Sequence, residues 1–166
     1  MAEKSLRSTT VRTVLICGIL LATVFGLLYF MENSITRYAD SFADEVQLGL
    51  MLFAMWLFVS TGLRTIHRRH ERVPFHHLVF AGVLISIVAG LVYLLFLFVY
   101  GNIDRSSNGN EVMLTSAHIV LYGLVVGLVI SLLTAINLKV VSRMLGNVIE
   151  LAVILILGGI LFYLSR

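Results

Sequence analysis

The dominant pattern along the chain is a succession of five long apolar runs separated by short polar stretches. The runs cover approximately residues 11–31, 45–63, 75–100, 112–136 and 145–164. Each is close to the length of about 20 residues that a helix needs to cross a bilayer. Transmembrane strands alternate apolar and polar residues, whereas the stretch LVYLLFLFVY is apolar on every face. The pattern predicts an all-α fold, a bundle of five transmembrane helices that forms one domain over residues 1–166.

Composition supports the same class of protein. Apolar residues make up 59% of the chain and charged residues 13%, and the mean hydropathy is +0.99. A soluble domain has about 45–50% apolar and about 25% charged residues. Little of the chain is left for a soluble catalytic domain. The net charge of +3 would suggest nucleic acid in a soluble protein, but in a membrane protein basic residues report orientation. We expect an integral protein of a bacterial cytoplasmic (inner) membrane, with no nucleic-acid partner.

Lysine and arginine residues are distributed unevenly between the two ends of the predicted helices. The N-terminal tail and the second and fourth connections hold nine of the twelve, and the other side has only Arg37, Arg105 and Arg166. Cytoplasmic flanks of membrane helices carry the excess of basic residues. The distribution predicts a cytoplasmic N-terminus and a C-terminus outside.

Small residues recur four positions apart in three of the runs. Such rows mark faces where membrane helices approach closely, because lipid offers no hydrophobic drive for helix association. The rows are Gly18, Ala22 and Gly26; Gly82, Ser86 and Gly90; and Gly123, Gly127 and Ser131. Two arrangements stay open. The rows meet inside one chain, or one row is reserved for a second protomer or a membrane protein partner.

Glu150 is the only charged residue well inside a predicted helix. Ionisable groups in a membrane usually face protein or water, which makes them candidates for function. Asn147 lies three positions before it on the same helical face, and Arg143 lies seven positions before it, in the fourth connection. Thr134 and Asn137, at the end of the fourth run, are also within reach. One interpretation is a proton or cation relay, or a contact to a subunit. The other is a paired or protonated carboxyl that holds the fourth and fifth helices together.

His118 lies about one turn into the fourth run, near the predicted outer face. One intramembrane histidine does not supply the two axial ligands of a bis-histidine haem, so we expect a polar contact between helices, with pH sensing as the alternative. The single cysteine, Cys17, excludes an intrachain disulfide and zinc sites of the CxxC type. No cofactor is expected.

The stretch IHRRHERVPFHH, residues 66–77, contains four of the five histidines. His67 and His70 are three apart and would share a helical face, as the ligands of a metal site do. Zinc sites also draw on cysteine or carboxylate ligands, and the surrounding arginines repel a dication. Basic residues beside a cytoplasmic helix end attract anionic lipid headgroups. We therefore expect headgroup contact rather than a metal, with docking of a partner as an alternative, at Arg64, Arg68, Arg69 and Arg72.

The block GLRTIHRRHERVPFHHLVFAGVLISIVAGLVYLLFLFVY, residues 62–100, resembles an uncharacterised family of small bacterial membrane proteins, domain of unknown function 4199. In that family a span ends in a basic turn, and a glycine- and serine-bearing span rich in aromatic residues follows. The matching positions here are Arg64, Phe75, Gly82, Ser86 and Tyr93. The resemblance implies a membrane protein and no activity, because the family has none established.

Motifs for hydrolysis or nucleotide use are not visible. The chain contains no P-loop and no HExxH motif. Apart from Glu150, no carboxylate lies well inside a predicted span. This favours a non-enzymatic accessory protein or self-associating helical bundle. The alternatives are a small transporter or channel that moves a proton or cation through Glu150, and a membrane enzyme that acts on lipid or quinone.

Overall fold

A computed structural model describes residues 2–35, 42–70, 73–103, 109–140 and 148–150, together with positions 152, 153, 156 and 159. The chain forms helices α1 (Ala2–Ile35), α2 (Phe42–Arg69), α3 (Phe75–Ile103) and α4 (Gly109–Val140). No strand occurs in these residues, so the predicted all-α fold is confirmed. Of the fifth predicted helix, residues 148–150, 152, 153, 156 and 159 are described, and all are helical. The count of five helices stays a prediction.

Three helices contain a stretch that is long and apolar enough to cross a membrane. These stretches are Ser5–Met31, Gly49–Arg69 and Phe75–Val99, with mean hydropathies of 2.5, 1.5 and 2.7. In α4 the apolar stretch within the described residues is the shorter Gly123–Lys139. The helices extend beyond the predicted spans, because apolar runs mark the part of a helix in the hydrocarbon and not the residue where its hydrogen bonds end.

Pro74 separates α2 from α3. The carbonyl of Pro74 accepts hydrogen bonds from the backbone N–H groups of His77 at 3.1 Å and Leu78 at 3.3 Å, which form the first turn of α3. A proline at a helix start removes no intrahelical hydrogen bond, because the first N–H groups have no partner there. The prediction that Pro74 begins the third helix agrees with this turn.

Helices α1 and α3 run side by side in the same direction. A Cβ placed on Gly18 would lie 2.6 Å from Cγ1 of Val88, and one on Gly26 would lie 3.7 Å from the Phe96 ring. Ala22, between the two glycines, is buried. The small-residue row of α1 therefore contacts α3 within one chain.

Helices α3 and α4 cross through two reciprocal glycine and serine contacts. A Cβ on Gly82 would lie 2.7 Å from Cβ of Ser131, and a Cβ on Gly127 would lie 2.6 Å from Cβ of Ser86. Gly82 contacts Ser131, whereas Ser86, four residues later on α3, contacts Gly127, four residues earlier on α4. The two helices are therefore antiparallel. Each glycine gives space to the facing serine, and the two backbones approach closely.

Helices α2 and α3 each contact the other three, whereas α1 and α4 do not contact each other in the described residues. The centre of this packing is filled by branched apolar side chains that are almost completely buried. They include Leu21, Leu63, Ile66, Leu78, Ile85 and Ile130. The outward faces are also apolar, with Phe98 68% and Leu95 66% exposed. The bundle is thus apolar inside and outside.

The two ends of the bundle differ in chemistry. Every lysine and arginine whose side chain is described belongs to the end where α1 and α3 begin and α2 and α4 finish. Aromatic rings pair towards the opposite end. The centroids of Phe25 and Tyr93 are 5.8 Å apart, and those of Tyr29 and Phe96 are 6.4 Å apart, both edge to face.

Candidate functional site around Glu150

A group of five polar side chains lies between α2, α4 and the residues after α4. Ser60 and Arg64 are four positions apart on α2, and Thr134 and Asn137 are three positions apart on α4. Residues at these spacings lie on one face of a helix. Both faces meet at Glu150. We call these five residues the Glu150 cluster.

Each carboxylate oxygen of Glu150 has its own set of partners. The Ser60 hydroxyl donates a hydrogen bond to Oε1 at 2.6 Å, and the Thr134 hydroxyl donates to the same oxygen. The Asn137 amide Nδ2 donates to Oε2 at 3.0 Å, and Nη2 of Arg64 lies 3.6 Å from Oε2. An ionised carboxylate accepts hydrogen bonds and donates none, so this arrangement satisfies it.

Burial makes these contacts matter energetically. Glu150 is 1% exposed, and Ser60 and Thr134 are also buried. On insertion scales an acidic residue at the centre of a membrane helix costs roughly 2.5–3.5 kcal/mol. Hydrogen bonds from three donors and the charge of Arg64 offset that cost, because they replace the water that the carboxylate has lost. The Arg64 side chain is 30% exposed and so connects the buried group to the surface.

The hydroxyl groups of Ser60 and Thr134 allow two arrangements of protons around Oε1 of Glu150. The oxygens of Ser60 and Thr134 are 3.1 Å apart, and each hydroxyl has one proton to donate. When Glu150 is ionised, both protons point to Oε1. When Oε1 carries a proton, it donates to one hydroxyl, that hydroxyl donates to the other, and the second donates back to Oε1. The heavy atoms accommodate both forms without moving.

The sequence pattern predicts part of this cluster. It indicates Glu150, with Thr134 and Asn137 as partners within reach, and both donate to it. It does not connect Ser60, which is 90 positions away from Glu150, and it predicts contact with lipid headgroups for Arg64. The available signal was the spacing of Ser60 and Arg64, two polar residues on one face of an apolar helix.

Other candidate residues lie outside the described side chains. Arg143 and Asn147 are outside the described residues, as is Arg72 of the basic connection. His118 belongs to α4, and its side chain is not among those described. The small-residue positions Gly90 and Gly123 are half-buried, and a Cβ on Gly123 would meet no described atom within 4 Å.

Two of the four histidines of residues 66–77, His70 and His77, contact α1. His70 Nε2 lies 3.3 Å from the Thr9 hydroxyl oxygen, and His77 Nε2 lies 3.2 Å from that of Thr10. His76, Arg68 and Arg69 are exposed. Where side chains are described, no three histidine, cysteine or acidic groups come together as ligands of a metal would.

Comparisons with known proteins give no relative. No protein-family model, no curated protein and no solved structure matches the chain. The family resemblance over residues 62–100 stays a prediction, and any function has to be argued from the geometry of the chain itself.

Proposed function

We propose that the chain is a non-enzymatic integral membrane protein that acts as an accessory through its outer surfaces. The observation that supports this function is the internal pairing of the Glu150 cluster. Donors from α2 and α4 contact both carboxylate oxygens, so the buried charge joins helices of one chain. The buried carboxylate of Glu150 holds the bundle together, and partners bind elsewhere on the chain.

Membrane insertion is supported by the outward faces of the helices. Apolar side chains such as Leu95 and Phe98 are more than half exposed, and monomeric soluble proteins rarely expose large contiguous apolar areas. Basic residues gather at one end of the bundle, and such residues are retained on the cytoplasmic side. We propose five spans, a cytoplasmic N-terminus, a C-terminus outside and a bacterial inner-membrane location.

The small-residue rows favour an accessory protein over a bundle that self-associates through these rows. Gly18 contacts α3, and Gly82 and Gly127 contact serines across the α3–α4 interface. These faces are occupied within the chain. A partner or second copy would therefore contact the lipid-facing surfaces, including the side of α4 that bears Leu121 and Val125.

Stability measurements on Glu150 variants test the structural role. Interhelical hydrogen bonds in membrane proteins average about 0.6 kcal/mol, so the loss of three in Glu150→Ala should lower the free energy of unfolding by about 2 kcal/mol. Thr23→Val is a matched control, because the Thr23 hydroxyl is exposed and bonds only to the Ile19 carbonyl among described atoms. Reversible unfolding in mild detergent measures both. Equal effects of the two substitutions would contradict a holding role for Glu150.

Crosslinking in native membranes tests the accessory role. We expect the chain to be recovered with a defined partner after crosslinking at lipid-facing positions such as Leu121 or Val125, which are exposed. Crosslinks at the buried position Val59 serve as the control and should stay within the chain. Recovery of monomers without partners from every lipid-facing position would count against the proposal.

A second candidate function is proton movement through Glu150. It is favoured by the two hydroxyls that accommodate both protonation states and by Arg64, which reaches from the buried carboxylate to the surface. A metal cation is less suitable, because the guanidinium of Arg64 lies 3.6 Å from Oε2 and repels it. Glu150→Gln preserves the shape of the side chain. In proteoliposomes with a pH gradient it should abolish proton flux while the protein stays folded, and a wild type without flux would remove this candidate.

A further inference from the structure

The first turns of α1 are held against both ends of the connection between α2 and α3. The Thr10 hydroxyl donates its proton to the Leu6 carbonyl at 2.9 Å, so its oxygen is left to accept from Nε2 of His77. Nε2 of His77 donates this hydrogen bond when it carries a proton. Thr9 and His70 form the corresponding contact at the end of α2.

These contacts determine where the basic residues of α1 lie. Arg12 follows Thr9 by three positions, so both are on the same face of the helix. Because Thr9 contacts His70, Arg12 lies beside the α1–α2 interface. Arg69, the last residue of α2, directly precedes His70 and so borders the same interface from the α2 side. Both arginines are exposed, so their guanidinium groups are accessible from outside the bundle.

Arg7 lies at a different interface. It precedes Thr10 by three positions and shares the face that contacts His77 at the start of α3. Arg7 and Arg12 thus belong to two separate sites along the rim of the bundle, one on each side of α1.

We propose that Arg12 and Arg69 form a binding site for the phosphate of an anionic phospholipid at the α1–α2 interface. No described acidic side chain competes for these arginines by a salt bridge. The site adjoins the apolar surface of α1, where Ile16 and Ile19 are 48% and 49% exposed. An acyl chain packs on that surface while the headgroup contacts the arginines. A free phosphate would gain only the second contact.

The inference depends on the proposed membrane location but not on the accessory role. Extraction of the chain from membranes by alkaline carbonate would refute the membrane location. Loss of lipid binding from a chain that stays embedded would refute this site alone.

Native mass spectrometry of the full-length protein in neutral detergent, titrated with phosphatidylglycerol, tests the site. Each arginine near a membrane surface contributes about 1 kcal/mol, so Arg12→Gln with Arg69→Gln should weaken binding of the first lipid by about 30-fold. Substitution of both by lysine keeps the charge and should change binding by much less. Phosphatidylcholine should bind no better to the wild type than to the glutamine variant.

Two controls separate a defined site from diffuse attraction to positive charge. Arg7→Gln with Lys139→Gln removes the same charge from exposed residues outside the α1–α2 interface, and we expect it to leave the first lipid bound. Thr9→Val removes the hydroxyl that positions α1 without changing charge, and it should weaken binding several-fold. A 30-fold loss in the Arg7 and Lys139 variant would overturn the proposal. So would equal binding of both lipids, or displacement of the lipid by millimolar inorganic phosphate.

Discussion

Replacing Gly82 by alanine should force α3 away from α4. The new Cβ would lie 2.7 Å from Cβ of Ser131, whereas carbon atoms in contact prefer about 3.5–4.0 Å. Rotation of the serine hydroxyl does not relieve this overlap, because the Ser131 Cβ is attached to the backbone. The helices must separate by about 1 Å at this level.

The expected change in the free energy of unfolding combines two opposing effects. Overpacking a tight contact destabilises by about 1–3 kcal/mol, and alanine is favoured over glycine inside a helix by roughly 0.5–1 kcal/mol. Gly82→Ala should therefore lower the free energy of unfolding by about 1–2 kcal/mol. At Gly123 a Cβ meets no described atom within 4 Å. Gly123→Ala should be neutral or stabilising, with the opposite sign.

A second substitution tests whether Ser131 is the residue that overlaps the new Cβ at position 82. Ser131→Gly removes the facing Cβ, so combining it with Gly82→Ala should restore the free energy of unfolding to within about 1 kcal/mol of the wild type. Ser86→Gly is the matched control: Ser86 donates to the Gly82 carbonyl within α3, but across the interface it faces Gly127, and it does not approach a Cβ on Gly82. Reversible unfolding in detergent or by steric trapping measures the wild type, Gly82→Ala, Gly123→Ala and the two double variants.

Three results would refute this reasoning. Gly82→Ala and Gly123→Ala could have the same effect, which would mean that the space at Gly82 is unimportant. Rescue by Ser86→Gly instead of Ser131→Gly would mean a different register between the helices. Rescue that requires two chains, each with one substitution, would place the contact between protomers.

Further substitutions test the α1–α3 contact and the Glu150 cluster. Gly18→Ala should destabilise more than Gly62→Ala. A Cβ on Gly18 would meet the stiff β-branched side chain of Val88 at 2.6 Å, whereas a Cβ on Gly62 would meet the flexible end of the Ile85 side chain at 2.7 Å. Thermal unfolding of the two variants gives the order, and the reverse order would contradict the α1–α3 packing. Asn137→Asp places a second carboxylate beside Oε2 of Glu150, and like charges this close are unfavourable. It should destabilise the bundle at neutral pH, and Glu150→Gln should relieve the effect in the double variant if the repulsion is the cause.

The sequence by itself determined the class of structure. Long apolar runs without alternation have no stable form in a membrane other than helices, because every backbone polar group needs a partner within its own segment. The same logic identified Glu150 as a residue to explain, since a charge inside an apolar run is costly. Pro74 also marked the start of α3, because proline lacks the N–H that a helix interior requires.

Only the tertiary structure decided which helices meet and through which residues. The small-residue rows of α1, α3 and α4 look equivalent in sequence, yet the row of α1 contacts α3, while Gly82 and Gly127 face serines across the α3–α4 interface. A periodic pattern defines a face of a helix but not its neighbour. For the same reason, the sequence did not predict that Ser60 and Arg64 contact Glu150. A contact across 90 positions depends on how α2, α4 and the residues after α4 pack. Many side chains contribute to the energy of that packing, so no single position in the sequence predicts it.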